Sequence, residues 1–200
     1  MRGKFIVIEG LDGSGKSTQA KKLTENLKGS LLTREPSDGS VGSLCRSAFS
    51  GQLKLNASSI MLLLIADRIE HAEDIVMPAL EAGQNVICDR YYLSNMAYQA
   101  TDEQTMQEIY ELNKRFFAPP PDLTIFLSLE PKIALERIKS RSVDRSVFED
   151  LCTLERINTN YQKAIAHLKS QGEKVIEISA MPEEDEIASE ILKTVGLLDG

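Results

Sequence analysis

Near the start of the chain, Gly10-Leu11-Asp12-Gly13-Ser14-Gly15-Lys16-Ser17 fits the pattern G-x-x-x-x-G-K-[ST] in full. It follows the β-branched, apolar run Phe5–Glu9 and precedes a helical pattern that begins at Lys16. That strand–loop–helix order is what the pattern needs in order to work. Glycines let the loop curl until its backbone N–H groups converge on a phosphate, and the following helix adds positive charge at its N-terminus. Lys16 supplies a mobile cation for the β- and γ-phosphates of a nucleoside triphosphate. The Ser17 hydroxyl suits Mg²⁺, and Thr18 completes the first turn. ATP and Mg²⁺ are the cofactors this loop implies.

A second anchor is Val86-Ile87-Cys88-Asp89-Arg90, in which a carboxylate emerges from the end of a buried strand. In an open α/β sheet this position lies beside the phosphate loop, in the crevice where ligands bind. Asp89 there suits Mg²⁺ through a water molecule, with Arg90 facing a phosphate. An enzyme that aligns two polyanions needs further cations. Arg34, Arg46, Arg68 and Arg90 lie near predicted strand ends or on helices able to line a cleft. Arg137, Arg141 and Arg145 belong to the Ser-containing joint 136–145, which suits a lid over ATP. A base-reading GTPase motif is missing, because Asn113-Lys114-Arg115-Phe116 lacks the Asp of N-K-x-D. A strand ending Asp-Glu, usual in motor ATPases, is replaced by Asp89-Arg90. These residues point to small-molecule phosphoryl transfer. The alternatives are a deoxynucleoside kinase, with Glu35 as general base, and a nucleotide-sensing switch.

Positioning these groups calls for short apolar strands alternating with long helices, the pattern of a parallel sheet covered by helices. Strands are predicted at 4–9, 30–33, 85–88, 123–128 and 174–178. Helices are predicted at 16–28, 40–50, 57–82, 103–116, 131–140, 146–170 and 183–195. Pro78 predicts a kink or break near the end of 57–82. The stretch Ile60–Ala66 is apolar all round, so more than one of its faces should be buried. Pro119-Pro120-Pro121 reads as a stiff loop within one domain spanning 1–200. The net charge of −7 argues against a broad nucleic-acid face. The longest apolar run, 60–66, is too short to span a membrane, and the four apolar residues before Glu9 are too few for a signal-peptide core. A cytoplasmic protein is expected. Cys45, Cys88 and Cys152 are scattered, without zinc-binding spacing.

Several collinear elements together resemble the thymidylate kinases: Glu9–Gln19, Thr33-Arg34-Glu35-Pro36, Ala66-Asp67-Arg68, Asp89-Arg90-Tyr91 with Ser94 and Ala97-Tyr98-Gln99, and Ala134–Ile138. The resemblance implies an α/β fold of the P-loop NTPase type. It would have three αβα layers, a five-stranded parallel sheet ordered 2-3-1-4-5, a helical lid at about 138–148, and a homodimer. It implies ATP-dependent phosphorylation of thymidylate (dTMP). Gly10, Leu11, Asp12, Gly13, Ser14, Gly15, Lys16, Ser17, Thr18 and Arg137 would hold ATP, with Ser17 and Asp89 on the metal. Arg34 and Arg90 would clamp the acceptor phosphate, and Arg46 and Arg68 would reach that phosphate or the base edge. Ser94 and Gln99 would line the acceptor site. Asn95, on a loop, would read the thymine edge, and Tyr98 would crowd the 2′ position. Asp12 would approach the acceptor's 3′-hydroxyl or the Mg²⁺ network and organise Arg34 or Arg90. Lys16, Arg90, Asp12 and the lid pair Arg141 and Arg145 would carry catalysis. Where the family stacks a Phe on thymine, this chain has Leu64. Phe49 and Tyr91 are the aromatics able to replace that ring.

Overall fold

The computed structural model describes residues 2–116, 118–141 and 150–198. Five strands form one parallel sheet: β1 (Phe5–Gly10), β2 (Leu31–Arg34), β3 (Val86–Asp89), β4 (Leu123–Ser128) and β5 (Val175–Ser179). Their order is β2-β3-β1-β4-β5, with β1 in register against β3 on one side and β4 on the other. The burial patterns explain that order. Every residue of β1 is buried, and β4 is buried from Leu123 to Leu127, as strands covered on both faces must be. The outer strands β2 and β5 keep exposed positions. The apolar runs that identified the strands in sequence therefore also rank them from centre to edge. Four of the five begin one residue later than predicted, and β4 matches.

Helices cover the sheet in two groups. On one side α1 (Lys16–Asn26) packs on β1, β2 and β3 and on α9 (Glu184–Gly196). On the other, α5 (Tyr92–Gln99) and α8 (Leu151–Ser170) pack on each other, with α7 (Pro131–Arg141) against α8. The remaining helices are α2 (Ser40–Phe49), α3 (Ala57–His71), α4 (Met77–Glu81) and α6 (Glu103–Arg115). Asn56, Asp102 and Asp150 cap α3, α6 and α8 by accepting from Ser59, Thr105 and Thr153 N–H at 2.7–2.8 Å. In contrast α1 starts after Gly15 with no side-chain cap, so its first N–H groups face the phosphate loop.

Three expectations change. The segment 92–99, expected as loop, is helix α5, buried at Tyr92, Leu93, Asn95, Met96 and Ala97. The single helix 57–82 is divided: α3 passes through a π-helical stretch, Ala72–Val76, into α4, with Pro78 in the first turn of α4. Proline has no N–H to give the preceding turn, and the wider π turn accommodates that loss. Along Ile60–Ala66 only Leu64 and Ile65 are buried, and Leu62 is 52% exposed. The predicted helix start at 146–149 and most of the lid lie outside the described residues.

Beside the site, α2 is seated closely on the Pro36–Ser37 turn. A Cβ at Gly42 would lie 2.0 Å from the Ser37 carbonyl oxygen. Asp67 on α3 accepts from Ser37 N–H at 2.8 Å and from its hydroxyl at 2.5 Å, and Arg46 donates to Pro36 O at 3.2 Å and to Ser37 O. Gly42→Ala must push α2 off this turn. Thermal unfolding should show a stability loss of about 1–3 kcal/mol, the usual range for overpacking, and an unchanged midpoint would show that α2 is not held here.

Candidate active site

The phosphate loop leaves β1 at Gly10 and enters α1 at Lys16. Gly13 and Gly15 have φ of 84° and 89°, left-handed values that side chains rarely adopt. A Cβ at Gly13 would also meet the Ala134 carbonyl at 2.8 Å, so the loop rests directly on α7. Arg137 lies one turn farther along that helix. Lys16 is buried, donates to the Leu11 carbonyl at 2.8 Å, and stands 3.6 Å from the Asp12 carboxylate. Burial and the neighbouring Arg90 pull its pKa down to about 8, against the opposing pull of Asp12, Asp89 and Glu9. A polyanion on the loop would favour the protonated form again.

Ser17 donates its hydroxyl hydrogen to Asp89, whose other carboxylate oxygen is buried without a partner among the described residues. Hydroxyl and carboxylate oxygens are the donors that Mg²⁺ prefers, so this pair fits such an ion. No group of three or more His, Cys, Asp and Glu gathers into a metal cage among the described residues. An ion here would have to rely on ligand phosphates and water for the rest of its coordination, as Mg²⁺ commonly does.

Beyond the loop opens a cleft of about 410 Å³ lined by Asp12, Glu35, Pro36, Phe49, Leu64, Arg68, Arg90, Tyr91, Ser94, Asn95, Tyr98 and Gln99. Its charged end is organised by Arg90, which pairs with Asp12 and donates to Ser94 Oγ at 2.9 Å and Tyr161 Oη at 3.3 Å. The guanidinium also lies over the Tyr98 ring, 5.1 Å from its centroid. Tyr98 donates its own hydroxyl hydrogen to Asp12 at 3.1 Å. Burial alone would raise the Asp12 pKa, but Arg90, Lys16 and these hydrogen bonds outweigh it and hold the carboxyl at about 2. Asp12 is therefore an anion throughout the neutral range.

Underneath sits Glu9, fully buried at the end of β1. It accepts from Tyr91 N–H at 2.7 Å, Ser94 N–H at 3.0 Å, Ser94 Oγ at 2.6 Å and Tyr161 Oη at 3.1 Å. Burial pushes its carboxyl pKa up, with Arg90 the strongest opposing influence. At the other end of the cleft Arg68 is buried. It donates to Glu35 through Nε at 2.8 Å and to Asn113 through Nη1 at 2.6 Å, with Nη2 in ion-pair contact with Glu35 at 2.6 Å. Glu35 is completed by His71 Nδ1 at 3.1 Å, and His71 Nε2 meets Thr33 Oγ1 at 2.7 Å. Asn95 Nδ2 donates to Gln99 at 3.2 Å, and its side-chain oxygen is buried with no partner among the described residues.

Of the residues predicted for the acceptor, the structure brings Asp12, Leu64, Arg68, Arg90, Ser94, Asn95, Tyr98 and Gln99 to one cleft. Arg34 and Arg46 do not line it. Arg34 is exposed at the end of β2 and pairs with Asp38 at 2.6 Å, while Arg46 is spent on the turn beneath α2. Arg145 lies outside the described residues, as does the side chain of Arg141 at the end of α7. Sequence reasoning missed the parts played by Glu9, Tyr161, His71 and Asn113. Glu9 gave a signal, a carboxylate closing an otherwise apolar central strand. Tyr161 gave none, because its spacing with Leu154, Ile157, Ala164 and Leu168 is that of a core face.

The family model described as thymidylate kinase matches residues 8–191. A protein named "Probable thymidylate kinase" from Pyrococcus abyssi is 38% identical over 98% of this chain and 97% of its own length. Another of that name, from Pyrococcus horikoshii, is 43% identical over 82% of this chain and 83% of its own length. The "Thymidylate kinase" of Leptospira borgpetersenii is 36% identical over 94% of this chain and 91% of its own length.

Glu9 offers a direct check on how the site is built. Glu9→Ala leaves the Tyr91 and Ser94 N–H groups without their acceptor, and an orphaned buried donor costs roughly 1–3 kcal/mol. Urea unfolding should give a loss of at least about 2 kcal/mol. A variant as stable as the parent would mean that Glu9 does not hold the Arg90 turn.

Proposed function

The chain belongs to the thymidylate kinase family, and we propose that it transfers the γ-phosphoryl group of ATP to thymidylate, yielding ADP and dTDP. The observation that carries this reading is the cleft itself. An anchored arginine stands beside the phosphate loop, and a pocket with apolar walls and an amide edge continues beyond it.

The chemistry asks little of a general base. The attacking group is an acceptor phosphate oxygen, already ionised near neutral pH, so catalysis reduces to alignment and charge neutralisation. Asp12, held at about 2, is suited to fixing Arg90 and not to taking a proton. Arg90 then meets the acceptor phosphate, while Lys16 and the N–H groups of residues 10–18 hold the donor's phosphates. Ser17 would bind Mg²⁺, with Asp89 reaching it through water. When bound, that ion neutralises phosphate charge and fixes the donor's orientation. Arg137 on α7 would meet the donor, and Arg141 and Arg145 would come over it from a lid at 138–148, as the family resemblance implies. Asn95 and Gln99 face the base edge, Arg68 lies at its far end, and Tyr98 narrows the space beside the sugar. Arg46 acts on the acceptor only through the seating of α2. Arg34 would have to leave Asp38 to reach the cleft.

The alternative, phosphorylation of a nucleoside hydroxyl, would need Glu35 as base. Glu35 is buried and committed to Arg68 and His71, which makes it a counter-ion. A homodimer accords with the exposed Leu44 on α2 and Leu62 on α3, apolar side chains that a second copy would cover. Among the described residues no helix is long and apolar enough to cross a membrane, in keeping with a cytoplasmic enzyme that acts on free nucleotides.

Coupled measurement of ADP release over a panel of nucleosides and nucleoside monophosphates tests the proposal. Thymidylate should be the best acceptor, thymidine should be inert, and Lys16→Ala should lose at least about 100-fold in kcat/KM. Turnover of thymidine without turnover of thymidylate would overturn the assignment.

A further inference from the structure

Three aromatic rings line the cleft, Phe49, Tyr91 and Tyr98, and they differ in what their faces already touch. Tyr91 is 1% exposed, with Arg68 over its ring at 5.0 Å and the ring of Phe5 set edge-on at 5.1 Å. Tyr98 carries Arg90 over its ring, holds the ring of Tyr161 perpendicular at 6.1 Å, and gives its hydroxyl to Asp12. Phe49 is 46% exposed and, among the described residues, has neither a ring nor a cation set against it. We propose that Phe49 is the aromatic platform on which the acceptor's pyrimidine base stacks, with Leu64 supplying only an aliphatic wall. The proposal rests on the nucleotide-kinase reading above.

An exposed Phe on a loose loop would mean little, but Phe49 is held in place. It is the last residue of α2, and the chain turns away directly after it, with Ser50 N–H bonded to Arg46 O at 2.9 Å and Gly51 N–H to Ala48 O at 3.2 Å. Three residues back, Arg46 clamps the helix to the Pro36 and Ser37 carbonyls, while Gly42 lets α2 approach that turn. The same turn is bonded to Asp67, the neighbour of Arg68 on α3. Phe49, Leu64 and Arg68 are therefore set relative to one another by a three-way joint of α2, turn and α3.

The cleft also has what a heterocycle needs at its edge. Arg68 has five N–H donors, of which Nε and one on Nη1 are bonded to Glu35 and Asn113, while Nη2 is in ion-pair contact with Glu35. That leaves donors on Nη1 and Nη2 for a ligand, and the Asn95 amide oxygen has no partner among the described residues. Donors and an acceptor at the rim address the edge of a base, while a ring with an open face addresses its plane. Base recognition thus draws on α2 as well as on α3 and α5, and Arg46 serves as a positioning residue for the stack.

The chain contains no tryptophan, so Phe49→Trp places a single indole at the proposed contact. Titration of that variant with thymidylate should quench or shift its emission saturably, with a dissociation constant near that of the parent. By calorimetry without donor, Phe49→Ala should weaken thymidylate binding between about fivefold and 150-fold, the range expected from loss of one stacked base. Its affinity for the ATP analogue AMP-PNP and its thermal midpoint serve as controls for folding. Arg46→Ala should give a smaller loss of thymidylate affinity, and combined with Phe49→Ala it should not deepen the loss that Phe49→Ala causes alone. An unchanged thymidylate affinity in Phe49→Ala, or a flat indole titration, would overturn the proposal even though the parent binds thymidylate. A parent that binds no thymidylate would instead refute the functional reading on which the proposal rests.

Discussion

Arg90 sits at φ 72° on the turn between β3 and α5, a left-handed conformation that costs a residue with a Cβ about 1–2 kcal/mol. The surroundings over-determine it. Its N–H bonds Ile8 O at 3.0 Å, its carbonyl accepts from the Cys88 thiol at 3.0 Å, and its guanidinium is gripped by Asp12, Ser94, Tyr98 and Tyr161. Backbone strain of this kind persists only where neighbouring structure holds it, and such positions gather at functional sites. Here the neighbours are the phosphate loop itself, through Asp12, and the central strand, through Glu9. In the proposed reaction, fixing this one arginine fixes the distance between the donor's cradle and the acceptor phosphate. Much of the site's architecture serves that distance.

The opposite end of the cleft obeys the same physics with different groups. Burying Arg68 removes a guanidinium from water, and only Glu35, Asn113 and the face of Tyr91 make that tolerable. A buried ion pair of this type adds little net stability, because desolvation offsets most of the attraction. Its contribution is orientation, since a guanidinium with two hydrogen bonds, an ion-pair contact and a ring beneath it has few ways left to point. His71 and Thr33 extend the network to β2 and hold Glu35 in turn. Cations at both ends of the cleft are thus immobilised by anions already committed to them, Asp12 by its low pKa and Glu35 by burial in its ion pair. Such an arrangement favours alignment and charge neutralisation over proton abstraction.

Much of the fold was legible because its cause is local. Apolar runs of four to six residues mark strands buried on both faces, and the glycine pattern of the phosphate loop specifies its own conformation. Asp89 could be placed because a parallel sheet puts the ends of its strands in one crevice. Helix α5 was missed because it is only eight residues long, its polar residues Ser94, Asn95 and Gln99 line the cleft instead of an outer face, and Tyr91 provides no side-chain cap. The α3–α4 junction was legible as a kink at Pro78 but not as a π turn. Tyr161 and Asn113 stayed hidden because each occupies a core position on its helix and meets its partners only across the fold. Arg34 and Arg46 differ from expectation in the other direction, standing outside the cleft lining. Charge and proximity to a strand end suggested the cleft, yet nearby acceptors, Asp38 and the Pro36–Ser37 carbonyls, claimed them first.

The central claim is that Asp12 acts on the acceptor through Arg90, by holding it, and not by accepting a proton. A double-mutant cycle on kcat/KM for thymidylate, built from Asp12→Asn, Arg90→Gln and the pair together, addresses that coupling most directly. Groups acting as one unit give non-additive losses. Each single variant should fall by at least about 10²-fold, and the double variant should be no worse than the poorer single within about threefold. Losses that multiply, so that the double variant falls by about 10⁴-fold or more, would show two independent roles and contradict the account.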